Sequence, residues 1–276
     1  MSHNPLGQHT KYISSYAPHL LFPIARAESR SQLGIVSNLP FYGVDIWTGY
    51  ELSWLNFSGK PQVAVAEFRV PCDSEFIIES KSFKLYLNSL NQTRFSDECE
   101  ILDVLTRDLS DVAKAIVSVK LFPINSTPIE ANYLESIGKA TAIELDILDV
   151  TVEHYHPAPE LLTTTTNDRV TEVLVSHLLK TNCPVTGQPD WASIFIAYTG
   201  RQVQHENLLR YLISFREHQD FHEHCVERIF CDLQRECGPE SLSVYARYTR
   251  RGGLDINPFR STEMDDLPSA IRLIRQ

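Results

Sequence analysis

The chain has 276 residues, 43% hydrophobic and 22% charged, with 15 Pro and 11 Gly. This is the composition of a soluble globular protein, long enough for one large domain or two moderate ones, and no disulfide or metal is needed merely to fold it. The 25 Lys and Arg against 35 Asp and Glu leave a formal charge of −10, which excludes a general polyanion-binding surface but leaves room for a local basic patch.

The longest apolar runs, around His19 to Ala25 and Ser193 to Tyr198, fall far short of the roughly 18 residues that cross a bilayer, so no membrane span is expected. Met1 to Lys11 is polar and lacks a signal peptide's charged-then-apolar order, which points to the cytoplasm. There the six cysteines, at 72, 99, 183, 225, 231 and 237, should be thiols, and none forms a CxxC pair.

In chain order, residues 1–40 are interrupted by Pro5, Gly7, Pro18 and Pro23 and read as an arm laid over the surface. A first module, 41–124, opens with the aromatic stretch Phe41, Tyr42, Trp47, Tyr50 and Trp54, whose plain reading is core. A strand at Gln62 to Val70 follows, then Tyr86-Leu87-Asn88-Ser89, then Phe95 to Cys99, a helix through Leu102, Leu105 and Leu109, and a strand Ala115 to Leu121. Residues 125–169, with the acidic stretch Glu144 to Asp149 and the Thr163 to Thr166 run, read as a connector of low regularity.

A second module, 170–276, starts with a helix Val170 to Leu179 and a strand Ser193 to Tyr198 and then repeats the order of the first. Tyr211-Leu212-Ile213-Ser214 echoes Tyr86 to Ser89, Phe221 to Cys225 echoes Phe95 to Cys99, a helix runs through Val226, Ile229, Phe230 and Leu233, and a strand covers Leu242 to Tyr248. Strands and helices come in blocks, not in alternation, so the class expected is α+β, antiparallel sheet with helices on one face. There is no GxGxxG, so a dinucleotide would bind without the Rossmann fingerprint.

Four stretches could carry chemistry. Pro184, Gly187 and Pro189 put Cys183 on a loop, where an exposed thiol is a candidate nucleophile; Asp190, seven residues on, could exchange a proton with it or merely turn the chain. His218 and His222 stand four apart and could ligate zinc with Cys183 or Cys225. Equally, His222-Glu223 could read the N–H groups of a heterocycle, or the whole stretch could be a solvated helix. Glu79 to Tyr86 and Tyr245 to Gly253 could both offer cations and backbone N–H groups to phosphate, Arg suiting a 2′-phosphate, or be solvated charge runs.

Glu79-Ser80-Lys81-Ser82-Phe83-Lys84-Leu85-Tyr86 resembles the signature of the NADPH-dependent 7-cyano-7-deazaguanine reductases, the nitrile reductases of queuosine biosynthesis. Cys183, Asp190, His222-Glu223, Asp45-Ile46-Trp47 and Arg250 to Pro258 match the same family, so the resemblance spans nearly the whole chain. It implies the tunnelling fold, in which paired antiparallel strands carry two helices, with two such modules in one chain as in the family's longer members. It also implies a homodimer, a fold shared with GTP cyclohydrolases, and no metal.

By the resemblance, Cys183 attacks the nitrile carbon of 7-cyano-7-deazaguanine to give a thioimide, Asp190 supplies the proton, and two hydrides from two NADPH lead through an imine to the primary amine. Ile78, Glu79, Ser80, His222 and Glu223 are then substrate-binding, and Ser80, Lys81, Arg251 and Gly252 cofactor-binding. A cover over the reacting imine, drawn from the arm, is expected as well. The alternatives are a zinc-dependent purine or pterin hydrolase of the same fold and a non-catalytic binding module of a tRNA pathway, the latter disfavoured by the charge of −10.

Overall fold

The computed structural model describes residues 13–125, 142–264, 268 and 273–276. Pro5 and Gly7 of the arm, and the middle of the connector, lie outside these residues. The chain divides into two compact units: unit 1 holds 1–32, 45–128 and 250–255, and unit 2 holds 33–44, 129–249 and 256–276.

In unit 1, a single 3-10 turn at Pro18–Leu20 leads to strand β1 (Pro23–Ala25) and the short helix α1 (Arg26–Gln32). These are followed by β2 (Tyr42–Leu55, which joins the unit at residue 45), β3 (Pro61–Pro71), β4 (Phe76–Ile78), helices α2 (Ser80–Ser89) and α3 (Glu98–Ala113), and β5 (Ser118–Pro123). The sheet runs β5-β3-β2, with β3 and β5 antiparallel from Arg69 opposite Ser118 to Ala64 opposite Pro123. Phe83 of α2 meets Trp47 and Phe68 of the sheet at 5.3 and 5.0 Å between ring centroids, and Ile101, Leu105 and Leu109 of α3 are fully buried. The 3.6-residue apolar stripe of each helix is what places it on one face of the sheet.

The stretch read as an irregular arm is more ordered than expected. β1 pairs antiparallel with β4, and the guanidinium of Arg26 is buried against Asp45 at 2.5 Å with Ser74 Oγ at 3.1 Å. Sequence periodicity misses it because a three-residue strand and a seven-residue helix are too short to show a repeat.

Unit 2 holds β6 (Ile143–Glu144), a 3-10 turn at Pro159–Leu161, β7 (Thr164–Asn182), β8 (Pro189–Val203), helices α4 (His205–Ser214) and α5 (His222–Cys237), β9 (Ser241–Tyr248) and most of β10 (Leu254–Ser261). The strand order is β10-β9-β8-β7-β6, antiparallel throughout except for the short parallel pairing of β6 with β7. The helix expected at Val170 to Leu179 is instead the middle of β7, and the threonine run opens that strand from Thr164 on. Val173 to Ser176 are buried one after another, so both faces of the strand are covered and the apolar residues lose the two-residue alternation that marks a half-buried strand. The β-branched residues at 170, 171, 173 and 175 were the signal for a strand.

The echoes read in the sequence extend to single hydrogen bonds. Tyr86 donates its hydroxyl to Asp108 at 2.7 Å, and Tyr211 donates to Asp232 at 2.7 Å. Ser89 and Ser214 each donate back to the carbonyl three residues earlier and accept the amide of Ala17 or Ala158 at 3.2 Å. Those alanines open Ala17-Pro18-His19-Leu20-Leu21 and Ala158-Pro159-Glu160-Leu161-Leu162, a second echo that the sequence reading left out. Its next residue, Phe22 or Thr163, accepts the amide of the residue before α2 or α4. The Phe95/Phe221 and Cys99/Cys225 echo, in contrast, is out of register: its members stand 126 residues apart, whereas α3 and α5 superpose end to end at 124.

Candidate functional site

Unit 2 presents Cys183 in the turn of the β7–β8 hairpin. Its amide donates to the Gln188 carbonyl at 2.9 Å and its carbonyl accepts from Gly187 at 3.0 Å, closing a tight loop in which Gly187 takes φ +66°, a conformation glycine adopts without strain. The preceding residue is clamped as well. Asn182 donates its amide to His218 O at 2.8 Å and accepts from the Asp220 amide, while Lys180 Nζ bridges Asn182 Oδ1 and the Arg216 carbonyl. The half-buried thiol thus stands on a backbone held from both sides.

Asp190 lies opposite Thr181 in the β7–β8 register, and cross-strand partners point to the same face. Its buried carboxylate has His222 Nε2 3.3 Å away. His222 is the first residue of α5, and its ring lies flat on that of Tyr248, 3.7 Å between centroids and 1° between planes. Glu223, next along the helix, is 2% exposed; a buried carboxylate there is favoured by the positive end of the helix dipole.

A second polar group backs this one. His224 Nδ1 is 3.1 Å and His218 Nε2 3.7 Å from the Asp220 carboxylate, which also takes the Phe221 amide. Burial pushes the Asp220 pKa up, but the nearby His218 imidazole, the hydrogen bond from His224 and that from the Phe221 amide together outweigh it and hold the carboxyl well below its usual range. Here the zinc argument fails on geometry. Two histidines four apart share a helix face only within one helix, and His218 is extended chain ahead of α5, turned to Asp220 while His222 faces Asp190. Cys225 is fully buried, and among the described residues no three His, Cys, Asp or Glu converge as a metal would need.

In unit 1, Glu79 closes β4 and caps α2, its two carboxylate oxygens accepting the amides of Lys81 and Ser82 at 2.8 and 2.7 Å. Ile78 is buried, while Ser80 and Lys81 are partly exposed on the first turn. Arg251 and Gly252 lie in the turn after β9. Arg251 donates its amide to the Leu254 carbonyl, and Gly252 takes φ +59° with its Cα side 3.3 Å from Lys84 Cδ, measured to where a Cβ would stand. The glycine turn, expected to bind cofactor, therefore lies against Lys84 of α2 in this unit. Tyr248, Asp220 and the Lys180 clamp went unnoticed in the sequence, since a tyrosine in a fully buried strand reads only as core.

The family model for nitrile reductase, 7-cyano-7-deazaguanine-reductase N-term matches residues 12–121, and that for QueF-like protein matches 189–266. A curated NADPH-dependent 7-cyano-7-deazaguanine reductase from Bordetella avium is 55% identical over 276 residues, covering 100% of this chain and 99% of its own. That from Dechloromonas aromatica is 55% identical over 274 residues, 99% of this chain and 95% of its own. The chain belongs to this family. Ile78 to Lys81 fall within the first matched region and Asp190, His222, Glu223, Arg251 and Gly252 within the second, with Cys183 just ahead of it. Among solved structures, the archaeosine synthase QueF-Like in the apo form aligns with 35% of this chain and 95% of its own at 14% identity and a TM-score of 0.30, a likeness too slight to argue from.

Proposed function

We propose that this chain reduces the nitrile of 7-cyano-7-deazaguanine to the aminomethyl group of 7-aminomethyl-7-deazaguanine, in queuosine biosynthesis, with Cys183 as nucleophile and Asp190 as its proton partner. The observation that carries the residue assignment is the hairpin itself, which puts a thiol on a rigid turn and a buried carboxylate on the opposing strand, across from Thr181 two residues before that thiol. The Cys183 thiolate adds to the nitrile carbon, forming the C–S bond, while the nitrile nitrogen takes a proton from Asp190. A thioimide results, a better hydride acceptor than the nitrile, so one hard step is split into easier ones. His222 keeps Asp190 in place, and Glu223 accepts N–H groups of the heterocycle, since a carboxylate has acceptor sites to spare. Ile78, Glu79 and Ser80 are assigned to substrate binding by the family resemblance. Glu79 serves helix and ligand together, because two amides leave about two of its four lone-pair sites open.

NADPH suits the unit 1 turn: Gly252 leaves room for a close backbone approach, and Lys81, Arg251 and the Ser80 hydroxyl are the groups that would hold phosphate. Bound one after the other, two NADPH would each supply one hydride. We further read the chain as two copies of one module, 41–124 and 170–276, whose Ala-Pro-x-Leu-Leu segments come from the arm, 1–40, and the connector, 125–169. It is read as a cytoplasmic homodimer with no nucleic-acid partner. Sedimentation of the purified protein tests the dimer.

The test of function is to mix the protein with 7-cyano-7-deazaguanine without NADPH and look for an adduct by absorbance and intact mass. An adduct that Cys183→Ala abolishes and that NADPH clears, with about two cofactors oxidised per substrate, is the expected result; no adduct and no NADPH oxidation overturns the reading.

A further inference from the structure

The imidazole of His222 has one polar contact, Nε2 to Asp190 at 3.3 Å; its Nδ1 is buried with no hydrogen-bond partner among the described residues. One contact leaves the ring free to turn about it. The plane is set by Tyr248, whose ring lies 3.7 Å away and within 1° of parallel.

Other aromatic pairs in unit 2 meet edge to face, Phe41 with Phe230 at 80° and Tyr211 with Phe215 at 84°. That is a common way of filling a core. A parallel contact fixes plane to plane. Tyr248 is itself immobilised: it is fully buried, its amide donates to Asn257 Oδ1 at 3.2 Å, and its carbonyl accepts from Gln276 Nε2 at 3.0 Å. It pairs across the sheet with Ala192, two residues beyond Asp190 on β8. The strand pair that carries the carboxylate therefore also carries the surface on which the imidazole rests.

We propose that Tyr248 is a positioning residue for nitrile reduction, whose ring fixes the plane of His222 so that Nε2 meets Asp190. The proposal rests on the roles given above to Asp190 and His222. Misplacement of a reacting group by about 1 Å can cost on the order of a hundredfold in rate, so the expected effect is on turnover more than on substrate affinity.

The test uses the full chain and steady-state reduction of 7-cyano-7-deazaguanine by NADPH. Tyr248→Phe keeps the ring and should stay within about threefold of wild type, whereas Tyr248→Leu should lose roughly 10- to 100-fold in kcat with KM little changed. In a His222→Ala background, Tyr248→Leu should cost nothing more, because a residue acting through His222 has nothing left to position. Equal rates for the Phe and Leu variants, or losses that multiply in the double variant, overturn the proposal. Should Tyr248→Leu fail to fold, the upfield ring-current shift of the His222 ring protons, read in wild type and in Tyr248→Phe, decides the matter, and its absence overturns the proposal. A wild type that shows the shift but neither binds nor reduces the nitrile overturns the reading of function instead.

Discussion

At the scale of single residues, the six thiols differ by surroundings more than by chemistry. Burial pushes Cys225 well above the ordinary thiol range, Cys231 up to about 12 and Cys237 up to about 11, with nearby carboxylates adding to the rise. At pH 8 a thiol with a pKa of about 11 is ionised in roughly one molecule in a thousand, and only the thiolate is a nucleophile. Cys72 is buried, and Cys231, though half-buried like Cys183, has its thiol pushed up, which leaves Cys99, exposed, and Cys183 as the first candidates for modification. Iodoacetamide at pH 8 should therefore modify these two first in the native protein, with 7-cyano-7-deazaguanine protecting Cys183 alone. Peptide mapping after partial labelling checks this; a nitrile that protects no cysteine, or protects Cys99 equally, would go against the assignment of the nucleophile.

At the scale of elements, the polar segment His218 to Asp220 ties the start of α5 to the strand that ends beside Cys183. The Asp220 carboxyl is held below its unfolded value near 3.8, so its contribution to stability is present above about pH 4 and is lost as the pH falls further. Asp220→Asn should lower the urea midpoint at pH 7, and the gap to wild type should close as unfolding is repeated at pH 4 and pH 3. A gap that stays constant with pH would mean the ionised form is not what holds the segment. This cluster was not legible in the sequence, where the spacing of His218 and His222 suggested a metal pair; Asp220 stands ahead of the helix that starts at His222, where no periodicity marks it. The apolar stripes of α3 and α5 were legible, because an amphipathic helix on a sheet must repeat every 3.6 residues. β7 was not, because burial on both faces erases alternation. The same holds at the site: Cys183 stood out through the prolines and glycine of its loop, whereas Tyr248 shares its burial with every other residue from Leu242 to Tyr248 and gave no signal until its ring was seen on His222.

At the scale of the whole molecule, two units built on one plan need not be equally strong at matching points. In each, a buried tyrosine on the first long helix donates to a buried aspartate on the second. Asp108 also receives the hydroxyl of Tyr16 at 2.6 Å and the guanidinium of Arg107, whereas Asp232 has, beyond Tyr211, the guanidinium of Arg235 at 2.7 Å. Deleting a hydroxyl that bonds a charged group costs about 1.5–3 kcal/mol, and less where other donors can take up the freed oxygen. Tyr16 donates to the same Oδ2 that Tyr86 uses, so that oxygen stays satisfied in Tyr86→Phe, while Asp232 Oδ2 loses its tyrosine in Tyr211→Phe. Tyr211→Phe should therefore lower the stability measured by urea unfolding more than Tyr86→Phe. With no partner in common, the two losses should add to within about 0.5 kcal/mol in the double variant. A Tyr86→Phe loss equal to or larger than that of Tyr211→Phe would show that the Tyr16 hydroxyl does not secure Asp108. The segment carrying Ala17 to Leu21 would then be held by its backbone bonds and not by this shared carboxylate.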